Sequence, residues 1–109
     1  MTIGVYSFEI HLHDSRSLKE KRKVLRRLKD RLRSRHNVAV TEVEDHADLW
    51  QRAGLVVVSV ATHRDALTRL FESVQRETEA QVPGDVIDIG SEFIEAFDAG
   101  GGDWTGETP

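Results

Sequence analysis

The sequence predicts an α+β domain of the ferredoxin-like type: βαββαβ, a four-stranded antiparallel sheet in spatial order 4-1-3-2, and two helices on one face. Three observations carry this. Four strand-like segments and two amphipathic helical segments alternate in that order. Each helical segment opens on a capping signal and closes before a turn. Short right-handed crossovers then fold that order into one antiparallel sheet.

Residues 3–13, IGVYSFEIHLH, alternate strictly after Gly4, with Tyr6, Phe8, Ile10 and Leu12 on one face and Ser7, Glu9, His11 and His13 on the other. That period is a half-buried strand. Ser17-Leu-Lys-Glu20 matches a capping box and starts a helix, for which Asn37 is the expected left-handed stop, placing the end near His36. At 100° per residue Leu18, Val24, Leu25, Leu28 and Leu32 share one third of the circumference. Residues 38–44, VAVTEVE, form an outer strand, and residues 53–62, AGLVVVSVAT, the densest β-branched run, a central one. Between them DHADLWQR is a polar connection with Trp50 as its large apolar residue. Thr62-His-Arg-Asp65 is the second start signal, Ala66, Leu67, Leu70, Phe71 and Val74 give helical spacing, and Val82-Pro83-Gly84 is a turn. Residues 85–94, DVIDIGSEFI, are the last strand. One domain is expected over 1–97, with 98–109, Gly-rich and acidic, as a disordered tail.

At 109 residues, 39% apolar and 31% charged, the composition is that of a soluble globular protein. No apolar run is long enough to span a bilayer, and the N-terminus lacks a secretory layout, so no membrane partner and a cytoplasmic location are expected. The lack of cysteine excludes disulfides, thiolate nucleophiles and cysteine-based zinc sites.

Charge is partitioned unevenly. From Arg16 to Arg35 eleven Lys and Arg stand against two acids, a balance of +9; the rest has four bases against seventeen acids, or −13. The total of −4 conceals two opposed fields. Lys19, Arg22, Lys23, Arg26, Arg27, Lys29 and Arg33 cover the side of the first helix opposite its leucines. A cationic face at helical spacing can lie along phosphates, each contact releasing counterions. The plainer reading is a solvated face balanced by carboxylates elsewhere.

The strings SRSLKEKRKVLRRLKDRLRSRHNVAVTEV, residues 15–43, and DLWQRAGLVVVSV, residues 48–60, closely resemble the YlxP-like family of small bacterial proteins of unknown function. The likeness runs from about Ile3 to Ile94. It implies a ferredoxin-like fold and a cytoplasmic bacterial protein. Genes of such proteins tend to neighbour genes for translation initiation and ribosome maturation, which suggests a role near the ribosome. It supplies no catalytic residues.

Three functions follow as expectations. The first is a non-enzymatic accessory protein, homodimeric, holding RNA or a ribosomal particle on the seven cations named above. The second is a homodimeric interaction module whose open sheet face, with Ser7, Glu9, His11, Ser59, Asp88 and Glu92, is acidic and repels phosphate. The third is a metal-binding protein using Glu9, His11 and His13 beside Asp88 and Glu92, although alternation makes any His-x-His pair co-facial and no metal site is expected from it. Lys21, whose projection falls between Val24, Leu25, Leu28 and Leu32 inside the apolar sector, reads as a stem on the core rim with its ammonium at Asp45 or Asp48, in preference to a catalytic base. Trp50 reads as a loop residue folding over the sheet edge, or a partner anchor. No cofactor, small-molecule substrate or catalytic residue is expected, because no phosphate loop, nucleophile elbow or paired-carboxylate pattern occurs.

Overall fold

The structure, a computed structural model, describes residues 1–43 and 49–96. Its elements are β1 (Thr2–His11), α1 (Leu18–Arg35), β2 (Ala39–Val43), β3 (Arg52–Ala61), α2 (Arg64–Gln81) and β4 (Asp85–Glu95). The sheet is antiparallel in order β2-β3-β1-β4, the expected order read from the other edge. Glu44, the connection through Asp48 and the expected tail at 98–109 lie outside the described residues. Among the described residues no helix is long and apolar enough to cross a membrane.

Alternation along β1 sends Thr2, Tyr6, Phe8 and Ile10 into the core. Leu55 and Val57 of β3 and Val40 of β2 extend that layer. Gly4 lets α2 approach: a Cβ there would lie 2.9 Å from two ring atoms of Phe71. Tyr6 stacks between Phe8 and Phe71 with centroids 5.1 and 5.4 Å apart.

The cap of α1 is built as its sequence implies. Ser17 is extended and its Oγ accepts from the Glu20 N–H at 3.1 Å. Glu20 reaches back one residue further than a capping box requires, accepting from the Arg16 N–H at 3.2 Å. Leu25, Leu28 and Leu32 are buried, with Val24 partly so. The helix leaves through His36 in extended backbone, one residue before Asn37, and the Asn37 carbonyl accepts from Ser59 Oγ at 2.6 Å.

The start of α2 differs from expectation. Its cap residue is His63, not Thr62, and no side chain bonds a free N–H there. Leu67, Phe71, Val74 and Thr78 form its buried stripe. Thr78, which periodicity in apolar residues passes over, satisfies its hydroxyl by donating to the Val74 carbonyl at 2.8 Å.

A bulge in β4 decides which residues face where. Ser7 pairs with Gly90, but Phe8 pairs with Asp88, so Ile89 is left over. The extra residue reverses the side on which the first half of β4 places its side chains. Asp88 therefore joins the helix side, where it accepts from the Tyr6 hydroxyl.

Candidate functional site

Directly paired residues of neighbouring strands share a face, so the register defines the side of the sheet away from the helices. It carries Ile3 and Val5 of β1, Val56, Val58 and Val60 of β3, Ala39 of β2, and Ile87 and Ile94 of β4. This corrects the expected acidic open face. Ser59 pairs with Gly4 and is buried. Asp88 is on the other side through the bulge. Ser7, Glu9, His11 and Glu92 are where expected, but aliphatic side chains dominate around them. Val60, Ile87 and Ile94 are each about half exposed, at 49%, 45% and 55%.

The two imidazoles serve separate carboxylates. His11 Nε2 lies 2.6 Å from Glu9 Oε1, which also meets Arg52 Nε at 3.5 Å. His13 Nε2 lies 2.8 Å from Asp85 Oδ2. Among the described residues no group of three or more acidic, histidine or cysteine side chains is placed to hold a metal. Burial, then the hydrogen bond to Asp88, pushes the Tyr6 phenol well above its ordinary value. Trp50 is half exposed and lines a depression of about 530 Å³ with Leu49, Gln51, Arg52 and the two imidazoles, at the ends of β1 and β3.

Lys21 is buried, and its ammonium donates to the Leu49 carbonyl at 2.6 Å. Asp45 and Asp48, its expected partners, lie outside the described residues.

The cationic side of α1 divides in two. Lys19, Arg22, Lys23, Arg26 and Arg27 are exposed and make no ion pair or side-chain hydrogen bond among the described residues. Lys29, partly buried, lies 3.7 Å from Glu42 on β2. Arg33 is 3.7 Å from Asp30 and donates to the Val40 carbonyl at 3.0 Å. These last two of the seven expected contacts are thus spent on the protein itself.

The far side of α1 is tied to α2 by Glu77, whose Oε2 lies 2.9 Å from Arg31 Nε and 3.6 Å from Arg35 Nη1. Its carboxyl is held below the ordinary glutamate value, first by the hydrogen bond from Arg31, then, against the opposing effect of burial, by the charge on Arg35. His36 Nε2, 3.4 Å from Oε1, is poorly aligned for a hydrogen bond and adds a weaker contact.

A family model described as "Protein of unknown function (DUF503)" matches residues 3–90. The chain belongs to this family. The uncharacterized protein YlxP of Bacillus subtilis (strain 168) is 37% identical over 62 residues, a stretch covering 57% of this chain and 66% of YlxP, just under two thirds of its length. The YlxP-like resemblance of the two quoted strings is therefore met in this DUF503 member. A de novo designed protein with ferredoxin fold, solved in solution, superposes with a TM-score of 0.52 over 91% of this chain and 89% of its own, at 10% identity. That likeness concerns the fold alone.

What the residues missed is the aliphatic face. Its signal was present, since LVVVSV of β3 is apolar at both parities, a pattern that belongs to a strand covered on both sides.

Proposed function

We propose that this DUF503 protein is a non-enzymatic accessory protein of the cytoplasm that holds RNA, free or on a ribosomal particle, along the outer side of α1. The observation that carries the reading is the contrast along one helix. Lys29, Arg31, Arg33 and Arg35 each lie within 4 Å of an acid, whereas Lys19, Arg22, Lys23, Arg26 and Arg27 reach none among the described residues. A chain of net charge −4 does not need five unneutralised cations on one strip for solubility. From Lys19 to Arg27 the strip is about 12 Å long. Over that axial length one strand of a duplex carries roughly three or four phosphates.

Contacts of this kind position a backbone and read no bases. The opposite side of the molecule is a poor stacking platform, since the open sheet face carries mostly aliphatic residues and no Phe, Tyr or Trp at its paired positions, and its one imidazole there, His11, is engaged with Glu9. The imidazoles, already engaged with Glu9 and Asp85, give no support to a reaction.

The test is the variant Arg22→Gln with Arg26→Gln and Arg27→Gln, measured against a single-stranded homopolymeric RNA and against purified ribosomal subunits over a range of salt. Gln keeps helix propensity, so the melt stays within about 1 kcal/mol of the parent. Affinity falls for both probes, and the salt slope flattens by up to about three units. Arg33→Gln, which removes a cation already bonded to Val40, leaves the slope unchanged. A folded triple variant with the parent's affinity and slope would refute the reading.

A further inference from the structure

The open sheet face carries a second inference, independent of what α1 binds. We infer that it is the interface of a homodimer in which two copies pack sheet against sheet, leaving both α1 helices on the outside.

The face is the wrong chemistry for water. Ile94, Ile3 and Val60 form one row across β4, β1 and β3; Val5 and Val58 continue it, with Ala39 of β2 beside them, and Val56 follows. Contiguous aliphatic surface on this scale marks an interaction site. At roughly 16 Å² of flat sheet per strand residue, the four strands present on the order of 600 Å² before side-chain relief is counted. Specific pairs bury about 1,200–2,000 Å² in total, or about 600–1,000 Å² from each partner, so the face lies at the lower end of the required size.

The occupant follows from composition and charge. Interfaces between identical chains are more apolar than those between occasional partners, and their cores are depleted of charge. The rows from Ile94 to Val56 hold one charged residue, Glu92, on the outer strand. Nearer the other end Glu9 and Arg52 already neutralise each other at 3.5 Å, and Asp85 meets the His13 imidazole at 2.8 Å. Such a surface offers no field to select a basic or acidic partner, and matches best a copy of itself. Aligned packing of two twisted sheets, about 10 Å apart, places valine against valine or isoleucine.

The edges are the weaker route to a pair. Among the described residues the edge strand β2 spans five, and β4 carries the bulge, two features that discourage edge-to-edge pairing.

The test uses the whole chain and two kinds of variant. Val60→Lys with Ile94→Lys changes two half-exposed positions and would bury up to four ammonium groups in the pair. Light scattering and sedimentation from micromolar to millimolar protein are expected to give a dimer for the parent. The double variant, with an unchanged circular dichroism spectrum, should dissociate on the order of 100-fold more readily or more. Because the chain has no cysteine, Val58→Cys supplies a check that does not rest on the lysine variant folding: mild oxidation should link two copies through the sheet face. Thr68→Cys, exposed on α2, should stay unlinked. A monomeric parent at millimolar concentration would overturn the inference, leaving the face to the 98–109 segment or another protein. So would a double variant that remains dimeric, or oxidation linking Thr68→Cys in place of Val58→Cys. The salt slope that tests the α1 strip is read on the parent and its Gln variants, so either reading can fail without the other.

Discussion

Gly84 is the residue whose replacement should be felt most in proportion to the atoms added. A Cβ there would fall 2.0 Å from the His11 carbonyl oxygen and 3.0 Å from its carbon, both backbone atoms with nowhere to yield. The turn after α2 closes against the end of β1 at that point, so Gly84→Ala should force the start of β4 away from β1. We expect a loss of roughly 1–3 kcal/mol in a urea titration, with the spectrum of the native state preserved. A variant as stable as the parent would mean that this turn is looser than its contacts imply. The sequence marked this residue only as part of Val82-Pro83-Gly84, a turn; which backbone it touches depends on a strand seventy residues away. Ser59 was misread because LVVVSV is apolar at both parities, so that only its pairing with Gly4 fixes its side, and Asp88 for a reason closer to that of Gly84. Parity along a strand is legible only while the register is unbroken, and one extra residue at Ile89 turned Asp88 to the other side.

At the scale of elements, α1 was legible because its capping residues and leucine spacing are local, and α2 from its apolar spacing alone, since its cap is His63 without a side-chain bond. Their docking to each other was not, because it rests on Glu77 meeting Arg31 and Arg35 across more than forty residues. The lowered pKa of Glu77 makes that contact measurable. A carboxyl whose folded pKa lies below its unfolded value stabilises the fold above the unfolded pKa, and that contribution disappears as pH falls through the folded one. Glu77→Gln should therefore cost about 1–2 kcal/mol at neutral pH, discounted for the exposure of both guanidinium groups. The gap between parent and variant should close as pH drops below about 4.5, the ordinary glutamate value. Denaturant melts at neutral and acidic pH check it; a gap constant across that range would show that the contact, not the charge, matters.

For the molecule as a whole, the sheet order and helix placement were legible from the βαββαβ succession, whereas the aliphatic outer face was hidden by reading β3 simply as a central strand. The same scale governs how the acidic remainder of the chain acts on the cationic strip. The described core closes without the last residues: its buried apolar side chains run from Tyr6 to Val82, and the final ladder bond is from the Ala96 N–H to the Met1 carbonyl at 2.8 Å. Removing residues 98–109 should thus change stability by less than about 0.5 kcal/mol. It also removes Asp98, Asp103 and Glu107 and no base, taking the net charge from −4 to −1. If RNA lies along α1, the shortened chain should bind the homopolymeric RNA several-fold more tightly at low salt, since acids anywhere on a small protein oppose the approach of a polyanion. That gain should vanish once salt shortens the screening length to about 3 Å, near 1 M. A gain that persists there would point to the segment covering the strip directly, and a markedly lower melt would place part of the fold beyond Ala96.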